Sequence, residues 1–111
     1  MEIDIKYNAI PEVQYAEKQA EQAVLEVWGI YCQEWAASKA PVDTGRLKSS
    51  FTHQVGDGYV DVGTNVEYAP YQEYGTKKGI EGKHFLRDAV QDHKEEYKDI
   101  AERILQGIFG Q

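Results

Sequence analysis

The sequence predicts an α+β fold, in which a small antiparallel β-sheet is flanked by a long N-terminal helix and a C-terminal helix. Two long segments repeat apolar residues at spacings of three and four, which is the period of an amphipathic helix. The segment between them alternates apolar and polar residues and is divided by a strong turn signal, Gly56-Asp57-Gly58. A chain of 111 residues has room for one core, so we expect a single domain over residues 1–111.

The first helix is predicted over residues 12–39, with Pro11 in its first turn and Pro41 at its end. At 1.5 Å per residue it would be roughly 42 Å long, against a diameter of roughly 34 Å for a domain of this size. The helix therefore overhangs or bends, and Gly29 is either a hinge or close helix contact, or a packing glycine beside Trp28. The predicted apolar stripe comprises Ala20, Val24, Val27, Trp28, Tyr31 and Trp35.

A β-hairpin is predicted after this helix. Its return strand covers residues 59–64, with Val60 and Val62 on one face. Two strands alone are marginally stable, so the hairpin must pack on helices or on another subunit. The alternating residues of the first strand are Leu47, Ser49, Phe51, His53 and Val55.

Three further elements complete the chain. Tyr68, Tyr71 and Tyr74 are three residues apart, which places them on one side of a helical turn. Residues 76–84 contain two glycines and almost no apolar pattern, so we expect a mobile loop there. The last helix is predicted over residues 85–108, and its stripe comprises Leu86, Val90, Tyr97, Ile100, Ala101, Ile104, Leu105 and Ile108.

The charge balance is acidic, with 19 Asp and Glu residues against 12 Lys and Arg residues and a net charge of −7. Sequence-driven binding of nucleic acid is disfavoured, because neutralising phosphates requires Lys and Arg. An acidic wall would instead let DNA slide past without gripping it. No apolar run approaches the roughly 18 residues of a membrane span, and the N-terminus lacks signal-peptide features, so we expect no membrane partner and synthesis in the cytoplasm.

No residue pattern predicts a metal or cofactor site. Cys32 is the single cysteine, which excludes an internal disulfide, and we interpret it as a small buried packing residue rather than a reactive thiol. The histidines, His53, His84 and His93, lack the i, i+4 spacing of a helical metal site. Nucleotide-binding and serine-hydrolase motifs are also missing from the sequence, so no catalytic residue and no cofactor are predicted.

The segment Asp43-Thr44-Gly45 repeats the D-T-G signature of aspartic proteases, in which two copies bring two aspartates together. Arg46 follows it here, where a small residue is usual, and helical patterns flank it instead of strands. We therefore interpret it as a turn in which Gly45 relaxes the backbone. A dimeric protease acting through Asp43 is the least favoured alternative.

A basic cluster interrupts this acidic protein around the predicted loop. It is either a solvated flexible loop or an electrostatic contact with an acidic face of a neighbouring subunit or with DNA. The eight tyrosines and two tryptophans add many contact groups, and tyrosine is enriched at interfaces, although it also covers small sheets. The cluster consists of Lys77, Lys78, Lys83, His84 and Arg87.

Several segments resemble one family. Residues 40–50, APVDTGRLKSS, closely resemble the APVDTGRLRxS segment of the HK-ninety-seven-type phage morphogenesis proteins, minor tail components of long-tailed phages and prophages. Residues 62–76 contain the family's V-G-T, Y-A and Y-x-E-x-G-T pieces in order. Residues 84–86 resemble its P-F-L piece, with His84 in place of the proline. The resemblance spans residues 40–89.

The resemblance implies a structural tail protein without enzymatic activity. Such proteins are similar to tail-completion or head-to-tail joining components, which form a ring, commonly hexameric, at the head–tail interface of the virion after assembly in the host cytoplasm. The implied partners are copies of the chain itself, the tail tube and the head connector, with DNA passing through without specific binding. The alternative is an unrelated, non-viral protein-binding module or regulator.

The candidate interface lies on the turn after the first helix and around the predicted loop. Residues 76–83 are expected to be mobile in an isolated subunit and ordered in the ring. The candidate interface residues are Asp43, Gly45, Arg46, Tyr68, Tyr71, Tyr74, Lys77, Lys78, Lys83 and Arg87.

Overall fold

A computed structural model describes residues 1–10, 13, 17–40, 45–79 and 81–109, with side chains as far as residue 107. It confirms the α+β class: a small antiparallel sheet is packed against helices, with a short 3-10 helix (Tyr7–Ala9) after the first strand. The strands are β1 (Glu2–Lys6), β2 (Thr52–Val55) and β3 (Tyr59–Gly63). The α-helices are α1 (Lys18–Lys39), α2 (Ala69–Tyr74), α3 (Phe85–Gln91) and α4 (Lys94–Phe109).

The sheet has the order β1-β3-β2, so the return strand of the predicted hairpin lies in its centre. On the inner face Ile5 and Val55 both pair with Val60, and these apolar side chains pack towards α1. The first strand of the hairpin begins only at Thr52, because residues 46–49 form a turn. In this turn the backbone N–H of Ser49 donates to the carbonyl oxygen of Gly45 at 3.0 Å. The predicted start of that strand at residue 47 was therefore wrong.

Strand β1 was not predicted, and it supplies the third strand that the hairpin needs for stability. The Met1 ammonium donates to the carbonyl oxygen of Thr64 at 3.0 Å, and the Thr64 N–H donates back to Met1 at 2.8 Å. Gly63 makes this pairing possible, since a Cβ there would overlap the Met1 carbonyl oxygen and Glu2. The V-G-T segment is thus the place where the chain start joins the sheet.

Helix α1 begins at Lys18, later than predicted, because Glu17 has an extended backbone with φ −63° and ψ 160°. Its 22 residues are about 33 Å long, which is less than the 54 Å long axis of the molecule, so it need not overhang. The predicted stripe was wrong at Tyr31, which is 40% exposed. The buried face is rotated because α1 packs against the sheet on one side and against α3 and α4 on another, and it comprises Ala20, Val24, Leu25, Trp28, Gly29, Cys32 and Ala36.

Gly29 is a packing glycine and not a hinge. One continuous helix passes through it, and a Cβ at this position would lie 2.7 Å from Cδ2 of His53 and 2.9 Å from Cγ2 of Val60. The missing side chain therefore allows the helix to approach the sheet closely.

The predicted C-terminal helix is divided into α3 and α4 by a turn at Asp92 and His93, so the prediction of one helix was wrong. The hydroxyl of Tyr97, buried against α1, donates to the carbonyl oxygen of Ala89 at 2.7 Å. A straight helix would separate these two residues by about 12 Å along its axis, beyond the reach of that bond. The turn also places the His93 ring on Trp35, with ring centroids 3.7 Å apart.

We expect Gly29→Ala to lower the free energy of unfolding. Overpacking against His53 and Val60 costs about 1–3 kcal/mol, which outweighs the gain in helix propensity of about 1 kcal/mol. The matched control is Gly107→Ala in α4, where no neighbouring atom lies within 4 Å of the added Cβ. Urea unfolding should show a loss for the first variant and no loss for the second, and a stabilised Gly29→Ala would contradict the packing role.

Candidate functional site

A segment that we call the arm (residues 75–79 and 81–83) leaves the core at the end of α2 and returns at the start of α3. Gly75 ends α2 with φ +82°, a left-handed backbone that favours glycine, and pairs with Glu81 in an antiparallel bridge. The N–H of Lys83 donates to the carbonyl oxygen of Gln72 at 2.8 Å. A Cβ at Gly82 would lie 2.9 Å from the Glu73 carbonyl oxygen, so the returning chain passes directly against α2.

The base of the arm is held by a buried carboxylate, Glu73, which is only 2% exposed. Its two oxygens accept hydrogen bonds from the backbone N–H groups of Leu86 at 2.9 Å and of Arg87 at 3.2 Å. These donors lie in the first turn of α3, where N–H groups have no intrahelical partner and the helix dipole favours negative charge. The preceding residue, His84, has φ 50° and offers no side-chain cap, so Glu73 performs that function from another helix.

Sequence reasoning assigned no role to Glu73. A carboxylate between two tyrosines in a short polar segment indicates a solvated surface residue. The one signal that singled out Glu73 was its place in the Y-x-E-x-G-T segment. Its burial depends on α3 packing beside α2, a contact between residues 13 positions apart in the chain.

The three tyrosines of the predicted turn differ in exposure. Tyr71 is 56% and Tyr74 is 70% exposed, whereas Tyr68 is half-buried. The guanidinium of Arg46 lies 5.7 Å from the centroid of the Tyr68 ring, within the range of a cation–π contact. Tyr71 and Tyr74 thus form a free aromatic surface at the start of the arm.

The cations of the candidate interface also divide into two groups. Arg46 forms a bidentate ion pair with Glu67, in which its two terminal nitrogens donate to the two carboxylate oxygens at 3.0 and 2.9 Å. These hydrogen bonds lower the pKa of the Glu67 carboxyl. Arg87 donates to Asp88 at 3.1 Å, and Lys39 also pairs with Asp88 and lowers the pKa of its carboxyl. These contacts within the chain hold the turn after α1 and the start of α3.

The remaining lysines are different. Lys77, Lys78 and Lys83 are exposed, and none of them forms an ion pair with any residue that the structure describes. The arm therefore presents free positive charge beside the free aromatic surface.

The D-T-G segment is described only at its third residue. Asp43 and Thr44 lie outside the described residues, while Gly45 has φ +74°, the conformation in which glycine relieves strain. The hydroxyl of Ser49 donates to the Gly45 carbonyl oxygen at 2.8 Å. Gly45 therefore belongs to the turn that connects α1 to the sheet.

His53 and Cys32 have structural roles in the described part of the chain. Within the described part of the chain, His, Cys, Asp and Glu do not gather in any group of three that could hold a metal ion. His53 is half-buried and bonds Gln33 and Glu26. Cys32 is fully buried, and burial raises the pKa of its thiol to about 11, which confirms the interpretation as a packing residue.

None of the described helices combines the length and apolar composition needed to cross a bilayer.

Residues 6–75 match the family model described as "Bacteriophage HK97-gp10, putative tail-component". The chain belongs to this family. The match covers more than half of the 111 residues and contains α1, β2, β3 and α2. It confirms the resemblance drawn from the sequence. A comparison with curated proteins finds no match, and neither does a comparison with solved structures.

The tail-component family supports a structural role in a phage tail and a location in the virion, and it suggests that the chain is not an enzyme. The match ends at Gly75, the first residue of the arm. The matched segment thus carries Tyr71, Glu73 and Tyr74, whereas the lysines of the arm follow it.

We expect Glu73→Gln to destabilise the chain, because an amide presents one acceptor oxygen where the carboxylate presents two. The loss of one bond to a buried N–H costs about 1–3 kcal/mol, and the melting temperature should fall accordingly. Glu81→Gln, on an exposed arm residue, is the matched control and should melt as the unmodified chain does. Equal melting of both variants would show that Glu73 does not cap α3.

Proposed function

We propose that this chain is a tail-completion or head-to-tail joining protein, folded as one domain over residues 1–111. Copies of it form a ring between the tail tube and the head connector of the virion, and the family resemblance implies that the ring is hexameric. Membership of the tail-component family supports the tail role. The observation that best supports self-assembly is that Tyr71 is 56% exposed and Tyr74 is 70% exposed, on a helix whose other side is anchored in the core.

The anchoring of α2 makes these tyrosines suitable for an interface. Ala69 and Glu73 are buried on the opposite side of the short helix, and Glu73 is bonded to the start of α3. Tyrosines presented by a fixed helix lose little conformational entropy on binding. Aromatic groups with a polar tip are also the ones enriched at protein interfaces.

The overall charge fits a ring through which DNA passes. A net charge of −7 gives the assembled ring a strongly acidic surface, which repels a duplex and disfavours specific binding. The protease alternative depends on Asp43, which lies outside the described residues, and the family's tail-component description favours a structural role.

The tyrosine surface gives a direct test by native mass spectrometry at several concentrations, with and without tail-tube protein. The unmodified chain should form a ring, alone or on the tube. Tyr71→Ser/Tyr74→Ser should require a concentration higher by about tenfold or more for the same assembly, as expected when two aromatic contacts are lost. The control is Tyr31→Ser on α1, which removes an exposed tyrosine elsewhere.

Two results would count against the proposal. If the double variant assembles as the unmodified chain does, the tyrosines are not at the interface. If the unmodified chain stays monomeric both alone and with tail-tube protein, the ring itself is wrong.

A further inference from the structure

The outer face of the β-sheet carries three carboxylates, Glu2, Asp4 and Asp61, which we call the acidic sheet face. Asp4 and Asp61 are directly opposite each other in the register of β1 and β3. Like charges in directly opposite positions destabilise a sheet. None of the three forms an ion pair with a described residue, so no ion pair in the described part of the chain relieves this repulsion.

The arm has the opposite imbalance. Its exposed lysines, Lys77, Lys78 and Lys83, have no acidic partner in the described part of the molecule, although other cations of the chain are paired, such as Arg46 with Glu67. A single copy thus presents unpaired positive charge on the arm and unpaired negative charge on the sheet, and Glu2 lines a pocket with Tyr74 and Arg87 near the base of the arm.

We propose that the arm of one copy docks on the acidic sheet face of the next copy, so that its lysines face Glu2, Asp4 and Asp61. The inference rests on the proposed ring and names the two surfaces that form its repeated interface. Because the two surfaces are different, each copy uses its arm towards one neighbour and its sheet face towards the other. Such a head-to-tail contact closes into a ring when the rotation between copies allows it.

The sheet face is a better partner for the arm than the acidic side of α4. There, three cations, Lys94, Lys98 and Arg103, are interspersed among four carboxylates, Glu95, Glu96, Asp99 and Glu102, so the local charges largely cancel. Lys6 is the only Lys or Arg in the three strands, and it lies at the end of β1 away from Glu2, opposite Tyr59, which is 37% exposed. The Met1 ammonium, at the other end, donates to the Thr64 carbonyl oxygen. The lysines of the arm therefore meet a more uniformly negative surface on the sheet.

Charge reversal tests this pairing. An arm variant, Lys77→Glu/Lys78→Glu, and a face variant, Asp4→Lys/Asp61→Lys, should each raise the concentration needed for self-assembly by at least about tenfold. An equal mixture of the two should assemble again. In this mixture the unmodified, positive arm of the face variant docks on the unmodified, negative sheet face of the arm variant. The reversed, negative arm of the arm variant docks on the reversed, positive sheet face of the face variant. Native mass spectrometry should then find equal numbers of the two chains in each ring.

Two control variants change the net charge by the same amounts at other exposed positions: Lys94→Glu/Arg103→Glu and Glu95→Lys/Asp99→Lys, both on α4. They should assemble as the unmodified chain does. The restored mixture also shows that both reversed variants are folded, and Asp4→Asn/Asp61→Asn provides a milder face variant that should weaken assembly without reversing charge.

The outcomes separate this inference from the proposed function. If the unmodified chain forms rings and both reversed variants form them equally well, the docking is wrong while the ring stands. If the arm variant assembles normally but loses retention of duplex DNA, the partner of the arm is DNA and the docking is again wrong. Loss of assembly that mixing does not restore, with Asp4→Asn/Asp61→Asn assembling normally, also overturns it. A chain that never assembles overturns both.

Discussion

The position of Trp28 in the middle of α1 is the constraint on which the other elements depend. Its ring is fully buried, stacks on Tyr7 at 5.8 Å between centroids, and meets the edge of Tyr97 at 5.7 Å. Its indole N–H donates to the carbonyl oxygen of Tyr97 at 2.8 Å, so the one polar group of the side chain is satisfied inside the core. One residue thereby links α1 to the segment after β1 and to α4. Gly29, the next residue, brings the same helix close to the sheet.

The arm has an anchored base and an exposed tip. The difference between them follows from the hydrogen bonds that the backbone N–H and C=O groups form in each part. At the base, Glu73 accepts the N–H groups of Leu86 and Arg87, and Lys83 and His84 donate to carbonyl oxygens of α2. At the tip, Lys77 and Lys78 lie in a turn closed by a bond of 3.3 Å from Gly79 to Thr76. A segment held in this way can be presented to a neighbour without ordering its whole length, which reduces the entropic cost of binding.

Sequence patterns were sufficient where a feature is local. The turn at residues 56–58, the central strand and the helical turn of Tyr71 and Tyr74 are determined by neighbours within a few positions. Strand β1 was missed because five alternating residues are a weak signal and their partners in β3 lie far along the chain. The turn that separates α3 from α4 has no glycine or proline to mark it, since it depends on contacts of Tyr97 and His93 with other elements. The cap of α3 by Glu73 likewise depends on a contact between two elements, which the local sequence does not reveal.

Hydrogen exchange, followed for individual amides in the isolated chain and in the assembled ring, tests the central claim most directly. The amides of Lys83, His84, Leu86 and Arg87 should be protected in both states, because their bonds are made within one chain. The amides of Lys77 and Lys78 should exchange rapidly in the isolated chain and become protected on assembly. Equal protection of these two amides in both states, or rapid exchange at Leu86 and Arg87 in the isolated chain, would contradict a fixed base with a tip that orders on docking.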